Sequence, residues 1–148
     1  MEAQQDFKEL LGLLNKHKVE YVIVGGYALA FHGAPRYTGD LDILIRPDKQ
    51  NAERILAALD DFGFGDLKLT TADFEAPEIV VQLGVAPVRV DIITSLTGVD
   101  WEQVYLNRVE EKYGDVPVDY IGRKQFIANK RATGRERDLA DLEALGEE

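Results

Sequence analysis

The chain of 148 residues contains no cysteine, which excludes disulfides and thiolate zinc centres and fits a reducing compartment. Histidine is almost as scarce. His17 and His32 are the two present, too few for a histidine metal cluster, and His32 reads as a capping or core-edge imidazole. No apolar run reaches membrane length, and the start Met1-Glu2-Ala3-Gln4-Gln5-Asp6 is acidic and polar, unlike a signal peptide. The expected location is therefore the cytoplasm, with no membrane partner. Basic residues are the minority, 17 against 27 acidic ones, for a formal net charge of −10. That balance argues against indiscriminate nucleic-acid binding and against an anionic-membrane anchor. Six of the basic residues, Arg123, Lys124, Lys130, Arg131, Arg135 and Arg137, nevertheless cluster near the C-terminal end, so a local anion site survives. Repeats, low-complexity tracts and long linkers are also missing, and 45% of the residues are hydrophobic. The expectation is one domain, 1–148, with 122–148 as a helical segment packed on it.

What the sequence does have is concentrated between Val22 and Ile45. A β-branched run ending at Val24 is followed by Gly25-Gly26, a short helix-compatible stretch, and a second strand entered through Asp40-Leu41-Asp42. Residues two apart on a strand share a face, so Asp40 and Asp42 point the same way while Leu41, Ile43 and Ile45 face a core. Two carboxylates on one face repel unless a cation sits between them, and a hard divalent ion with oxygen ligands suits the position. Gly25 and Gly26 lack Cβ atoms, which lets backbone N–H groups approach a phosphate closely. Each feature has a plainer reading: a tight turn for the glycines, a cap and solvated face for the aspartates. Their combination, with 13 residues between Gly26 and Asp40, is more specific. Arg36, in the loop from Ala34 to Gly39, stands at the mouth of this arrangement as a phosphate contact or a solvated charge.

Elsewhere the periodicity predicts a helix over 4–16 carrying Phe7, Leu10, Leu11 and Leu14, a strand over 19–24, and a short helix over 26–32 closed by Gly33. Asp48 reads as the cap of a packing helix stopped by Gly63. Strand signals follow at 67–70, 79–83 and 88–93, the last two joined as a hairpin through Gly84-Val85-Ala86-Pro87. On the last strand Arg89 and Asp91 share a face opposite Val88, Val90 and Ile92. A mid-strand Asp91 needs a partner. Either Arg89 supplies it as a salt bridge, or a neighbouring Asp40 strand makes Asp91 the third carboxylate of a metal-binding cluster. Asp100 caps a helix to Arg108 with Trp101, Val104 and Tyr105 on one face, read as core. A strand over 116–121 precedes helical residues 124–145, broken near Thr133-Gly134, with Phe126, Ile127, Leu139, Leu142 and Leu145 as their apolar face.

Gly25-Gly26, Asp40-Leu41-Asp42, Asp91 within Val88-Arg89-Val90-Asp91-Ile92-Ile93, and the ending Lys130-Arg131-Ala132-Thr133-Gly134-Arg135-Glu136-Arg137-Asp138-Leu139-Ala140-Asp141-Leu142 together resemble the nucleotidyltransferase superfamily of DNA polymerase beta. Within it the chain is similar to small bacterial members that include aminoglycoside nucleotidyltransferases and abortive-infection toxin relatives. The resemblance spans nearly the whole chain. It implies an α/β (α+β) fold, a mixed β-sheet flanked by helices, and transfer of a nucleoside monophosphate from a nucleoside triphosphate to an acceptor hydroxyl with release of pyrophosphate. Asp40, Asp42 and Asp91 would be the catalytic and metal-binding set for two Mg²⁺ ions; Gly25, Gly26, Arg36 and Lys130 would bind the nucleotide. The acceptor would be a small molecule, an RNA end or a protein hydroxyl. Many members carry Gly-Ser where this chain has Gly25-Gly26, so a side-chain contact to phosphate is lost. The chain is also short after Asp91, which implies an acceptor site that is open, or completed by a second copy or a partner protein. Two other readings compete: an inactive nucleotide-binding or antitoxin-like interaction module, and a purely structural role for the aspartates.

Overall fold

The computed structural model describes residues 4–34, 39–85 and 88–147. Helix α1 (Gln5–Lys16) buries the stripe Phe7, Leu10, Leu11 and Leu14, and the Gln4 side chain accepts hydrogen bonds from the N–H groups of Asp6 and Phe7 at its start. Strand β1 (Tyr21–Val24) is buried throughout, which its unbroken apolar run dictates, and it passes directly into α2 (Gly25–Phe31). Strand β2 (Asp40–Ile45) follows, then α3 (Lys49–Leu59), whose cap Asp48 accepts from the Asn51 N–H at 2.7 Å. After a π-turn over Asp60–Phe64 and two 3₁₀ turns, β3 (Val80–Val85) and β4 (Val88–Ile93) form a hairpin. Helix α4 (Trp101–Leu106), the hairpin β5 (Val109–Tyr113) and β6 (Val116–Tyr120), and helices α5 (Arg123–Thr133) and α6 (Glu136–Ala144) complete the order.

One six-stranded mixed sheet runs β3-β4-β2-β1-β6-β5. The central pair β1 and β2 is antiparallel, each is parallel to its outer neighbour β6 or β4, and an antiparallel hairpin closes each side. Val22, Ile23, Leu41, Ile43 and Ile45 have no solvent exposure, so the core is centred on the middle strands. Among the described residues no helix is long and apolar enough to cross a membrane.

Two expectations are corrected, and one strand is added. Residues 67–70 are not a strand: Lys68 adopts a left-handed φ of +56°, and Thr70 pairs with Asp73 in a capping box that starts a 3₁₀ turn. Thr70, the last residue of the expected strand, is instead the cap of the 3₁₀ turn. Strand β5 escapes the sequence pattern because Glu110, Glu111 and Lys112 break apolar alternation; it is an edge strand, where charge guards against further pairing. Leu139, assigned to the apolar face of the last helix, is 55% exposed, while Asp138 and Asp141 are buried in its place.

Candidate active site

The N-terminal end of β2 carries Asp40 and Asp42, and the parallel register sets Arg89 opposite Asp40 and Asp91 opposite Asp42 on β4. All four side chains therefore stand on one face, and the adjacency that the three-carboxylate reading required is present. Farther along that face the next pair is Leu44 and Ile93, apolar, so the acidic patch ends where the sheet becomes covered. Burial, the neighbouring charges of Asp91 and Asp40, and a hydrogen bond with Asp91 push the Asp42 carboxyl up to about 7; Lys130 pulls it the other way. Asp42 and Asp91 thus form a crowded pair in which one proton or one cation relieves the repulsion.

The strand-to-helix turn explains how Asp42 fits. Gly25 has φ +68°, and a Cβ built on it would collide with the Asp42 carboxylate. Any side chain there would evict that oxygen. The first glycine of the pair is thus accounted for by Asp42, and Gly26 behind it is buried. Arg36 lies outside the described residues.

The salt bridge expected as the plain alternative is also present. Arg89 donates from Nε to Asp91 Oδ1 at 3.3 Å and from Nη2 to Asp91 Oδ2 at 3.4 Å, and its Nε lies 3.7 Å from Asp40 Oδ2. The two readings of Asp91 coincide in one place. Among the described residues no group of three His, Cys, Asp or Glu side chains is gathered closely enough to enclose a metal ion. The close carboxyl pair is Asp42 with Asp91, and Asp40 engages Arg89.

Lys130 reaches this region from α5. Its ammonium lies 3.4 Å from both Asp138 Oδ1 and Asp141 Oδ2 on α6 and 5.2 Å from the centre of the Phe126 ring. Asp138 is fully buried and also accepts from Arg135 Nε at 2.7 Å, Arg135 Nη2 at 3.2 Å and the Arg135 backbone N–H at 3.1 Å. Burial alone would raise its carboxyl, but the bonds from Arg135 and Thr133 and the charge of Lys130 outweigh it and hold the group well below the usual carboxylate range. Asp138 and Asp141 stand in the C-terminal string that carries the resemblance, but their burial and their pairing with Lys130 were not foreseen. A signal existed: two aspartates three apart, at positions a packed helix would normally give to apolar side chains, next to Lys130 and Arg135. His32, read as a core-edge group, has Nε2 2.7 Å from the Ile121 carbonyl oxygen.

This sheet order with its helices is the fold of nucleotidyltransferases. The chain is similar in structure to a Thermotoga maritima protein described as a nucleotidyltransferase, at 17% identity, over 94% of this chain and 89% of that one, with a TM-score of 0.64. It is likewise similar to the antibiotic-resistance factor ANT(2'')-Ia, at 11% identity over 95% and 80% of the two chains with a TM-score of 0.60. The lincosamide antibiotic adenylyltransferase LnuA, solved with lincomycin bound, aligns at 16% identity over 98% and 97% with a TM-score of 0.58. No curated protein sequence matches the chain. The chain belongs to the family described as "Nucleotidyl transferase of unknown function (DUF2204)", which matches residues 3–148. It is a nucleotidyltransferase by family.

Proposed function

We propose that the protein transfers a nucleoside monophosphate from a nucleoside triphosphate to an acceptor hydroxyl in a Mg²⁺-dependent reaction that releases pyrophosphate. The observation that carries this reading is the Asp42–Asp91 pair, facing across parallel strands with the Asp42 carboxyl raised to about 7. The donor set fits the ion: the ligands are carboxylate oxygens, and Mg²⁺ is commonly held by one or two carboxylates plus the phosphates of its substrate. A bound divalent ion would neutralise charge on the entering and leaving oxygens of an in-line displacement.

The chain's own groups do the rest. Asp40, Asp42 and Asp91 would hold the metal-bearing triphosphate, and Asp91 would also orient the acceptor hydroxyl and accept its proton. The acceptor oxygen bonds to the α-phosphorus as the bond from that phosphorus to the bridging oxygen of the β-phosphate breaks, and pyrophosphate departs with the electron pair. The backbone N–H groups at Gly25-Gly26, beside the Asp42 carboxylate, and the Lys130 ammonium, whose charge reaches Asp42, would meet the phosphates, with Arg36 as a further phosphate contact. The likeness to an adenylyltransferase supports ATP as donor. A small-molecule acceptor is supported by the antibiotic-modifying neighbour and by a net charge of −10, which disfavours an RNA chain.

Calorimetric titration of the four common nucleoside triphosphates with Mg²⁺, on the wild type and on Asp42→Asn, tests this. Metal-dependent binding by the wild type that is lost in the variant supports the assignment and identifies the donor base. Binding of none of the four by the wild type overturns it in favour of an inactive or partner-dependent module.

A further inference from the structure

The acidic face supplies its own cation. Arg89 reaches Asp91 with two N–H groups and lies between it and Asp40, so two of the three carboxylates are already paired without any ion. Two structural features leave that pairing free to open. Across the β3–β4 register the residue opposite Arg89 is Gly84, which puts no side chain on the outer flank of the guanidinium. The Arg89 side chain is also 36% exposed, whereas that of Asp91 is 14% exposed. The arginine therefore has room to turn outward while the carboxylate stays.

We propose that Arg89 is an exchangeable counter-cation: it occupies Asp91 and Asp40 in the metal-free protein, is displaced when a divalent ion takes those carboxylates, and then binds the triphosphate that arrives with the ion. This rests on the reading of the site given above. Displacement follows from charge. A divalent ion beside Asp42 and Asp91 repels the guanidinium and removes its acceptors at once. Its destination follows from shape, because the planar fork that now lies along Asp91 matches two phosphate oxygens equally well. Arg89 would thus be a positioning residue that restrains empty carboxylates and couples metal entry to nucleotide binding.

The test uses Mn²⁺ alone as the probe, followed by calorimetry, on the wild type and on Arg89→Met, which keeps the stem and removes the charge. Arg89→Met is expected to bind Mn²⁺ about tenfold tighter, since one charge-assisted competitor is gone, and Mn²⁺–ATP about tenfold more weakly relative to Mn²⁺. Unchanged or weaker Mn²⁺ affinity in the variant, with the wild type binding normally, overturns the proposal while leaving the site itself intact. Failure of both proteins to bind Mn²⁺ overturns the site reading and the proposal together. Because Arg89→Met also strips a partner from Asp91, a second measurement uses the unaltered fold: the ¹⁵N resonance of Arg89 Nε in the wild type. A shift on adding Mg²⁺ marks release from Asp91; a resonance that does not move while Mg²⁺ binds overturns the exchange.

Discussion

Asp42 fills the space that a side chain on Gly25 would need. The backbone at Gly25 has φ +68°, and the Asp42 carboxylate packs where the Cβ would stand. Gly25→Ala is therefore expected to fail twice, through a strained φ costing about 1–2 kcal/mol and through eviction of Asp42. Gly33→Ala is the control. Gly33 has φ +107° with nothing within 4 Å of its added Cβ, so it carries the strain without the collision. Thermal denaturation should show both variants destabilised. Calorimetry should show Mg²⁺–nucleotide binding weakened at least tenfold in Gly25→Ala alone, a loss of roughly the size of one charged contact.

The Asp42 carboxyl imposes a pH dependence of definite sign. Its folded value of about 7 lies above the ordinary 3.8, so the folded state holds a proton that the unfolded chain has released. The stabilisation is complete below the unfolded value and is lost as pH rises through the folded one. Metal-free wild type should lose ~1–3 kcal/mol between pH 5 and pH 8 relative to Asp42→Asn, which cannot ionise there. Urea denaturation at the two pH values measures this, and Mg²⁺ should restore the wild type at pH 8 by neutralising the pair. A wild type whose pH profile matches that of Asp42→Asn would remove the case for a strained carboxyl pair.

Asp138 predicts the opposite slope. Its carboxyl is held low by Arg135, Thr133 and Lys130 despite full burial, so its contribution is present above the unfolded carboxylate value and lost as pH falls toward the folded one. Asp138→Asn is expected to cost about 3 kcal/mol at pH 7, because Lys130 and Arg135 lose a buried partner. In chemical denaturation the gap between wild type and variant should begin to narrow below pH 4 and keep narrowing as the pH falls further.

Much of this geometry was legible in the order of residues. The alternation Asp40-Leu41-Asp42-Ile43 put two carboxylates on one face and two core residues on the other, and the register confirms it. The caps at Asp48 and Asp100 were equally readable, since each accepts from a backbone N–H three residues on. What local pattern did not reveal was the role of contacts distant in sequence. That Gly25 makes room for Asp42 depends on β1 lying beside β2, and that Asp138 and Asp141 are buried depends on α6 folding back against Lys130 of α5. Strand β5 was invisible because an edge strand hydrogen-bonds by backbone and its side chains are free to be charged.

Lys130 carries a prediction that separates a role in the site from a role in packing. Its ammonium is held by Asp138 and Asp141, and its field reaches Asp42, where it favours the ionised carboxylate. Lys130→Met should therefore raise the Asp42 carboxyl above its present value near 7, and Lys130→Arg, which keeps the charge, should leave it near that value. The readout is the pH titration of the Asp42 carboxyl carbon by ¹³C NMR. A structural lysine alone would change the stability of α5 against α6 without moving that titration. An upward shift in Lys130→Met that Lys130→Arg reverses would show that the helical hairpin delivers positive charge to the aspartate face, where the phosphates of the proposed substrate would lie.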